Sequence, residues 1–516
     1  MATFLDEQGV QFPLVDGVRA SSPAGRAILA EAVGAADPAL AARIAKTRSW
    51  RTDYIEHYVA ATALGVRGPA ETLRTAAAGL EAVHRLLRYR HNGLEHALAD
   101  IVWTETPTAK AVTILGDNQP AAALSVPYRG THLCGAALRD QLRRWHDRGV
   151  VESGFVTAIE RAIADPTLLR VPGRQVALLG AAAEMGPLEP LCEWGADILA
   201  IDVPIPAVAD RIAETARRGA GSVTVPQLDG AFAASAVARF AGAIEATATG
   251  LDIATRAPEV AAWLLAQAAP DKDLVLGMYG YSDGARHVAL TAAADAIAVR
   301  LLEQRPGTAL AYLSTPTDAY LVPGSVVAEA HRRWDERGRA LGAMHGGLRL
   351  GSAGNLCRRG YSEQHTAADG ARWGVADMLL PMQGPNYALA KRIQRWRGLT
   401  AAAAGNPVSL NVAPASWTRS VTRNRVFDYA YSGAGRFGIE VFPAQTARYL
   451  MAAKLAVDLA DADRLPSEHP EALLYADANH GGFWRQPFDP KSVLPLAALL
   501  GAAGLRRDQT RARLNL

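Results

Sequence analysis

Tyr387 and Lys391 are the residues whose types and spacing point most directly to chemistry. They stand four apart in GPNYALAKRIQRW (384–396), a spacing that puts both on one face of a helix. An ammonium beside a phenol favours the phenolate and draws its pKa below the free value of about 10. That makes tyrosine a usable general acid/base near neutral pH. No other Tyr-x-x-x-Lys occurs in the chain. The bland alternative is a surface tyrosine lying along a lysine stem.

A second group of residues suits a dinucleotide. The segment VALLGAAAEMGPLEPLCEWGADILAID (176–202) reads as strand, tight turn, helix and strand, ending in an acid. Backbone approach to a pyrophosphate needs glycine in such a turn, with a helix N-terminus behind it that favours negative charge. Gly180 and Gly186 supply the glycines, with Glu184 between them. Asp202 closes the second strand, where a carboxylate can hold the ribose hydroxyls of NAD and repel the 2′-phosphate of NADP.

Both groups need a parallel sheet to position them, and the pattern of the chain supplies one. Buried strands are predicted at 175–179, 198–201, 222–225, 274–278, 309–313 and 408–412, and helices at 188–194, 206–218, 286–304 and 387–403. Strands alternating with helices mean a parallel sheet covered on both faces. Before Pro172-Gly173 the pattern is different. Residues 20–100 carry apolar residues at helical spacing (Leu29, Val33, Leu40, Ile44; Leu73, Leu80, Val83, Leu87), a short strand is expected at 111–115, and further helices at 135–147 and 154–164. The expected organisation is an N-terminal mostly helical domain over 1–170. A Rossmann-type, doubly wound α/β domain follows over 171–516, with an insertion at about 319–383 ahead of the Tyr387 helix.

From about residue 174 to the C-terminus the chain resembles the short-chain dehydrogenase/reductase family. Gly180 and Gly186 occupy the first and third glycines of its G-x-x-x-G-x-G turn, Glu184 replacing the second. Tyr387 and Lys391 match its catalytic pair. VSLNVAPASWTRS (408–420) is similar to its sixth strand and the turn after it, with Asn411, Pro414 and Thr418, and Ala415 in place of a glycine. ALAYLSTPT (309–317) is similar to the strand that ends in its catalytic serine, giving Thr315 first and Ser314 close behind.

The resemblance implies hydride transfer between a nicotinamide and a carbonyl or alcohol carbon. Tyr387 is then the general acid/base, Lys391 holds the ribose and depresses the tyrosine pKa, and Thr315 or Ser314 orients the carbonyl. Asp229 corresponds to the acid that touches adenine, Gly277 to the close approach after the fourth strand, and Pro414 and Thr418 to the nicotinamide side. NAD is expected in preference to NADP. The chain departs from the family after the fourth strand, where GMYGYSDGA (277–285) replaces Asn-Asn-Ala-Gly, and His287 stands where relatives carry a catalytic asparagine. Alternatives are an epimerase- or dehydratase-type relative that uses NAD transiently, and a non-catalytic dinucleotide-binding regulator.

Composition excludes several other classes. A net charge of +3 over 516 residues is too balanced to imply a nucleic-acid or membrane partner. Three widely spaced cysteines, Cys134, Cys192 and Cys357, argue against a disulfide framework and for a reducing compartment. The start MATFLDEQGV lacks the basic and apolar regions of a signal peptide. The apolar run from Val493 to Leu505 contains Pro495 and is too short to span a bilayer. His91 and His96 fall on different helix faces, so no metal site is expected. The expectation is a cytoplasmic homo-oligomer acting on a small-molecule carbonyl or alcohol. The insertion, with Gly342, Gly346, Gly347, Gly351 and Gly354, is expected to border the substrate pocket together with residues 1–170.

Overall fold

Short apolar runs ended by a glycine or a polar residue build the centre of the molecule. The computed structural model describes residues 8–229, 247–422, 425–461 and 469–514. Its parallel strands are β1 (Arg174–Leu179), β2 (Asp197–Ile201), β3 (Ser222–Asp229), β4 (Asp273–Met278), β5 (Ala309–Ser314) and β6 (Val408–Val412), in the order β3–β2–β1–β4–β5–β6. The register places Val176 of β1 between Ile198 of β2 and Val275 of β4. Strand order reverses at β1/β4, so the crevice beyond the carboxyl ends of these two strands is the natural ligand position of a doubly wound sheet.

Alternation along the strands divides the apolar side chains between two faces. Ala177 and Leu179 face one cluster with α3 (Ala257–Gln267), α4 (Ala285–Gln304) and α5 (Pro385–Ala403). Val176 and Leu178 face the other, with α1 (Leu188–Trp194), α2 (Pro206–Arg218) and α6 (Ala444–Ala460). The α/β doubly wound architecture is therefore the one read from the sequence.

The first 170 residues are divided between these same two clusters. The helices Ser21–Gly34 and Pro69–Leu86 pack over α4 and α5, and Gly79 lets the Trp396 ring lie where any Cβ would stand, 2.5 Å from it. Buried Asp295 of α4 joins the three layers, accepting from His84 at 2.6 Å and from Arg397 at 2.8 and 2.9 Å. Residues 124–171 lie on the opposite face against α6, with Trp145 against Phe442 at 5.0 Å. The strand Lys110–Leu115 extends the sheet itself, pairing antiparallel with β3. Both apolar clusters thus cross the boundary expected at residue 170.

The insertion is ordered. Its strands Ala319–Pro323 and Arg372–Asp377 pair antiparallel, Ala319 opposite Asp377, which brings its two ends together. Helices Gly324–Asp335 and Arg339–Gly351 lie between them, and Gly346, Gly347 and Gly351 of the second face open space. Among the described residues no helix is long and apolar enough to cross a membrane.

Candidate functional site

At the β1/β4 crevice, Gly180 has φ +78, and a Cβ there would lie 2.3 Å from Gly280. Only glycine allows the two turns to meet so closely. The Leu179 carbonyl accepts from both Tyr279 N and Gly280 N, at 2.9 and 3.0 Å, locking the turns together. A Cβ at Gly186 would lie 3.2 Å from the Ala183 carbonyl oxygen, a tight approach, and α1 begins after it, at Leu188. Asp202 leaves β2 and accepts from Ala182 N and Val203 N, each at 2.8 Å, so its carboxylate ties the β1 turn to the end of β2. Burial pushes its pKa up, and these two bonds oppose the rise. Glu184 is turned out of the crevice. Its carboxylate accepts from Arg419 N at 2.9 Å, and its carbonyl accepts from Arg448 at 2.9 Å.

Across the sheet, α5 presents Tyr387 to the end of β5. Burial raises the Tyr387 phenol pKa, and the neighbouring Thr315 hydroxyl opposes the rise. Thr315 Oγ1 lies 2.8 Å from Thr317 Oγ1. Ser314, the second candidate, is buried and faces Tyr320 instead. Thr315 is therefore the hydroxyl that the fold places beside Tyr387.

Lys391 is arranged otherwise than its spacing implied. Its Nζ donates to the Leu313 carbonyl at 3.0 Å and to Gln394 Oε1 at 3.2 Å, and lies 6.0 Å from the Tyr387 ring centroid. The Tyr387 pKa is raised, not depressed, because desolvation of the phenol, with the Asp318 charge adding to it, outweighs the effect of Thr315. Burial lowers Lys391 itself to about 8, with Asp318 opposing the fall. A consequence can be measured. Between this value and the ordinary 10.5 the unfolded chain binds the proton and the folded chain does not, so Lys391's contribution to stability rises with pH across that window. Urea unfolding of wild type and Lys391→Met at pH 7 and pH 10 is expected to show wild type gaining on the variant at the higher pH. An identical difference at both pH values would contradict the assignment.

His287, at the start of α4, stacks on Tyr387 with ring centroids 5.7 Å apart and an interplanar angle of 20°, and Tyr281 closes the cluster, 5.0 Å from His287 and 6.3 Å from Tyr387. It is 1% exposed, and neither ring nitrogen has a partner. Burial, with Lys391 adding to it, holds its pKa near 3, so the ring is neutral. An unsatisfied polar ring is costly to bury, and its position against the tyrosine makes it part of the site. Sequence reading noted His287 but not the stacking, which depends on the packing of two helices a hundred residues apart.

The remaining candidates are more dispersed. Asp229 is paired with Lys110 at 2.6 Å. Gly277 lies inside β4, where a Cβ would fall 2.5 Å from the Tyr279 ring, so it serves packing. Pro414 and Thr418 follow β6 at the same sheet edge, and the Thr418 carbonyl accepts from Val421 and Thr422. Asn411 points into the other face, bonding Asp458 at 2.7 Å. Tyr128 and Arg129 both bond Glu440, at 2.8 Å. Among the described residues no group of His, Cys, Asp and Glu could hold a metal ion.

An apolar pocket adjoins Thr317. Leu380 of the insertion, Tyr431, Phe437, Ile439, Phe483 and Val493 line it. Among the described residues none from 1–170 lines it; that region backs the site instead, Tyr54 donating to the Leu380 carbonyl at 2.8 Å. Of the two additions expected at the pocket, the insertion borders it.

No protein-family model matches the sequence, and no curated protein matches it. Among solved structures the chain is similar to the terminal R domain from the myxalamid PKS-NRPS biosynthetic pathway, at 14% identity and a TM-score of 0.27 over 51% of this chain. It spans 55% of that chain, about half its length. A likeness of this size decides nothing about the reaction, which has to be argued from the side chains.

Those side chains fit a nicotinamide dinucleotide. At the crevice between β1 and β4 a Cβ on Gly180 would strike the Gly280 backbone, so the two turns stay in contact there. Next to it stand a neutral, unsatisfied imidazole, a buried lysine and a tyrosine–threonine pair.

Proposed function

We propose that this chain is a nicotinamide-dependent oxidoreductase that interconverts a carbonyl and an alcohol, with Tyr387 as general acid/base. The observation that carries the reading is the convergence of Tyr387, Lys391 and Thr315 at the end of β5, at the carboxyl edge of a doubly wound sheet and next to an apolar pocket. Gly180, Asp202 and Lys391 would hold the dinucleotide. When bound, the nicotinamide supplies or accepts the hydride. Thr315 orients the substrate oxygen by donating to it, and Tyr387 passes a proton to that oxygen in reduction or takes one in oxidation. A neutral Tyr387 is the form that reduction needs, and burial favours it. The apolar lining suits an uncharged substrate with a hydrocarbon body. Turnover of NADH with a panel of long-chain and aromatic aldehydes tests the reading, and absence of both NADH binding and turnover would refute it.

NADH is expected to bind more tightly than NADPH, because the Asp202 carboxylate would stand beside the 2′-phosphate and repel it. Arg211 is nearby, but its guanidinium donates to the Ala182 carbonyl at 3.2 Å. Fluorescence titration with both cofactors checks this, and equal or tighter NADPH binding would remove the role given to Asp202.

A further inference from the structure

We infer that Gln383 and Thr317 are positioning residues that fix the direction of the Thr315 hydroxyl proton, so that Thr315 acts as an obligate donor toward Tyr387 and the substrate oxygen. This rests on the carbonyl-reducing reading of the same site.

The direction follows from counting donors and acceptors. Leu380 N can only donate, and it donates to Gln383 Oε1 at 3.1 Å. That identifies the other amide atom as the nitrogen, which donates to Thr317 Oγ1 at 2.5 Å. Thr317 is buried. If its hydroxyl also accepted from Thr315, its own proton would be left inside the protein without a partner, an arrangement that costs the full desolvation of the group. The Thr317 proton therefore lies along the 2.8 Å line to Thr315 Oγ1. Thr317 N donates to the same Thr315 oxygen at 3.3 Å. A hydroxyl has two lone pairs and one proton, so both acceptor positions of Thr315 are filled and donation alone remains.

Thr317 and Gln383 stand at the two ends of the insertion, so the bond that closes the insertion also orients the proton. An insertion that failed to close would leave Thr315 free to point its proton at Thr317. Its orientation would then compete with the substrate for the same hydrogen.

The test reads the protein without cofactor at pH 7.5. Tyrosine labelled with ¹³C at Cζ reports hydrogen bonding at the phenol oxygen, and Tyr387→Phe assigns the resonance. In Gln383→Glu the side chain demands a proton, so Thr317 must donate to it and then accept from Thr315, reversing the chain. The Tyr387 Cζ signal is expected to move. Thr317→Val removes the connecting hydroxyl, so that Gln383→Glu placed in that background acts by charge alone. The inference requires a larger movement with Thr317 present than in the valine background. Thr317→Ser, which keeps the hydroxyl, is expected to reproduce the wild-type signal and the wild-type response to Gln383→Glu. The same movement in both backgrounds, or none in either, overturns the relay. Such a failure leaves the proposed reaction standing, since that reading is tested separately, by NADH binding and turnover and by Tyr387→Phe.

Discussion

Tyr387→Phe is expected to lower turnover of an accepted aldehyde by about 10²- to 10⁴-fold, the range contributed by a positioned general acid. Cofactor affinity should stay nearly unchanged, because the phenylalanine ring keeps the stacking on His287 at 5.7 Å and the place of the ring between α4 and α5. Only the hydroxyl that meets Thr315 is lost. Thr315→Ala should reduce turnover by a smaller factor, since it removes an orienting bond and leaves the acid in place. Steady-state kinetics beside NADH fluorescence titration separates the two quantities. Full turnover in Tyr387→Phe would show that the hydroxyl takes no part in proton transfer.

The largest expected effect on stability lies at Asp318. Its carboxylate accepts from Arg392 Nε at 3.1 Å and Nη2 at 2.8 Å, while Arg395 approaches to 3.9 Å and is itself bonded to Glu471. All four groups are buried. Arg392 also donates to Thr62 Oγ1 at 2.9 Å, so the network fastens the N-terminal helices to α5 and to the entry of the insertion. Asp318→Ala leaves two buried guanidinium groups with one carboxylate between them. Breaking a buried pair in this way is expected to cost about 3–5 kcal/mol. The exposed pair Arg85–Glu31 is the control, where Arg85→Ala should cost no more than about 0.5–1 kcal/mol. Urea unfolding of the full chain measures both, and a loss below about 1 kcal/mol at Asp318 would mean that water or rearrangement satisfies the arginines.

The parts of this molecule that were legible from sequence are those where a local pattern is also the global one. β1, β2 and β5 are short apolar runs with a polar residue or glycine at each end, and buried parallel strands have no other way to look. The Tyr387–Lys391 helix and the Gly180 turn were legible for the same reason. Lys391 was misjudged in its effect because spacing on a helix says which face a side chain takes, not which carbonyl captures it. Here the end of β5 offers Leu313 O. Asp202 stands at the strand end as read, but its bond to Ala182 N was invisible, since that donor comes from a turn twenty residues earlier. Gln383 gave no signal at all. It lies in a single turn of 3-10 helix, Pro381–Gln383, and has meaning only because the insertion returns to Thr317. The division of residues 1–170 between two faces was likewise hidden, because an amphipathic stripe states that a partner exists without stating which.

The strand Lys110–Leu115 also sets constraints during translation. Leu115 leaves the ribosome before its partner Ser222 has been made. The helix Pro69–Leu86 waits longer, until α5 at Pro385–Ala403 has emerged. At about 5–20 residues per second the second delay amounts to roughly tens of seconds. During its first part, until β3 has been made, an unpaired strand and the apolar stripe that will meet Trp396 are exposed together on one nascent chain. The N-terminal third cannot settle into its native packing on its own, and expressed alone it would present those surfaces permanently.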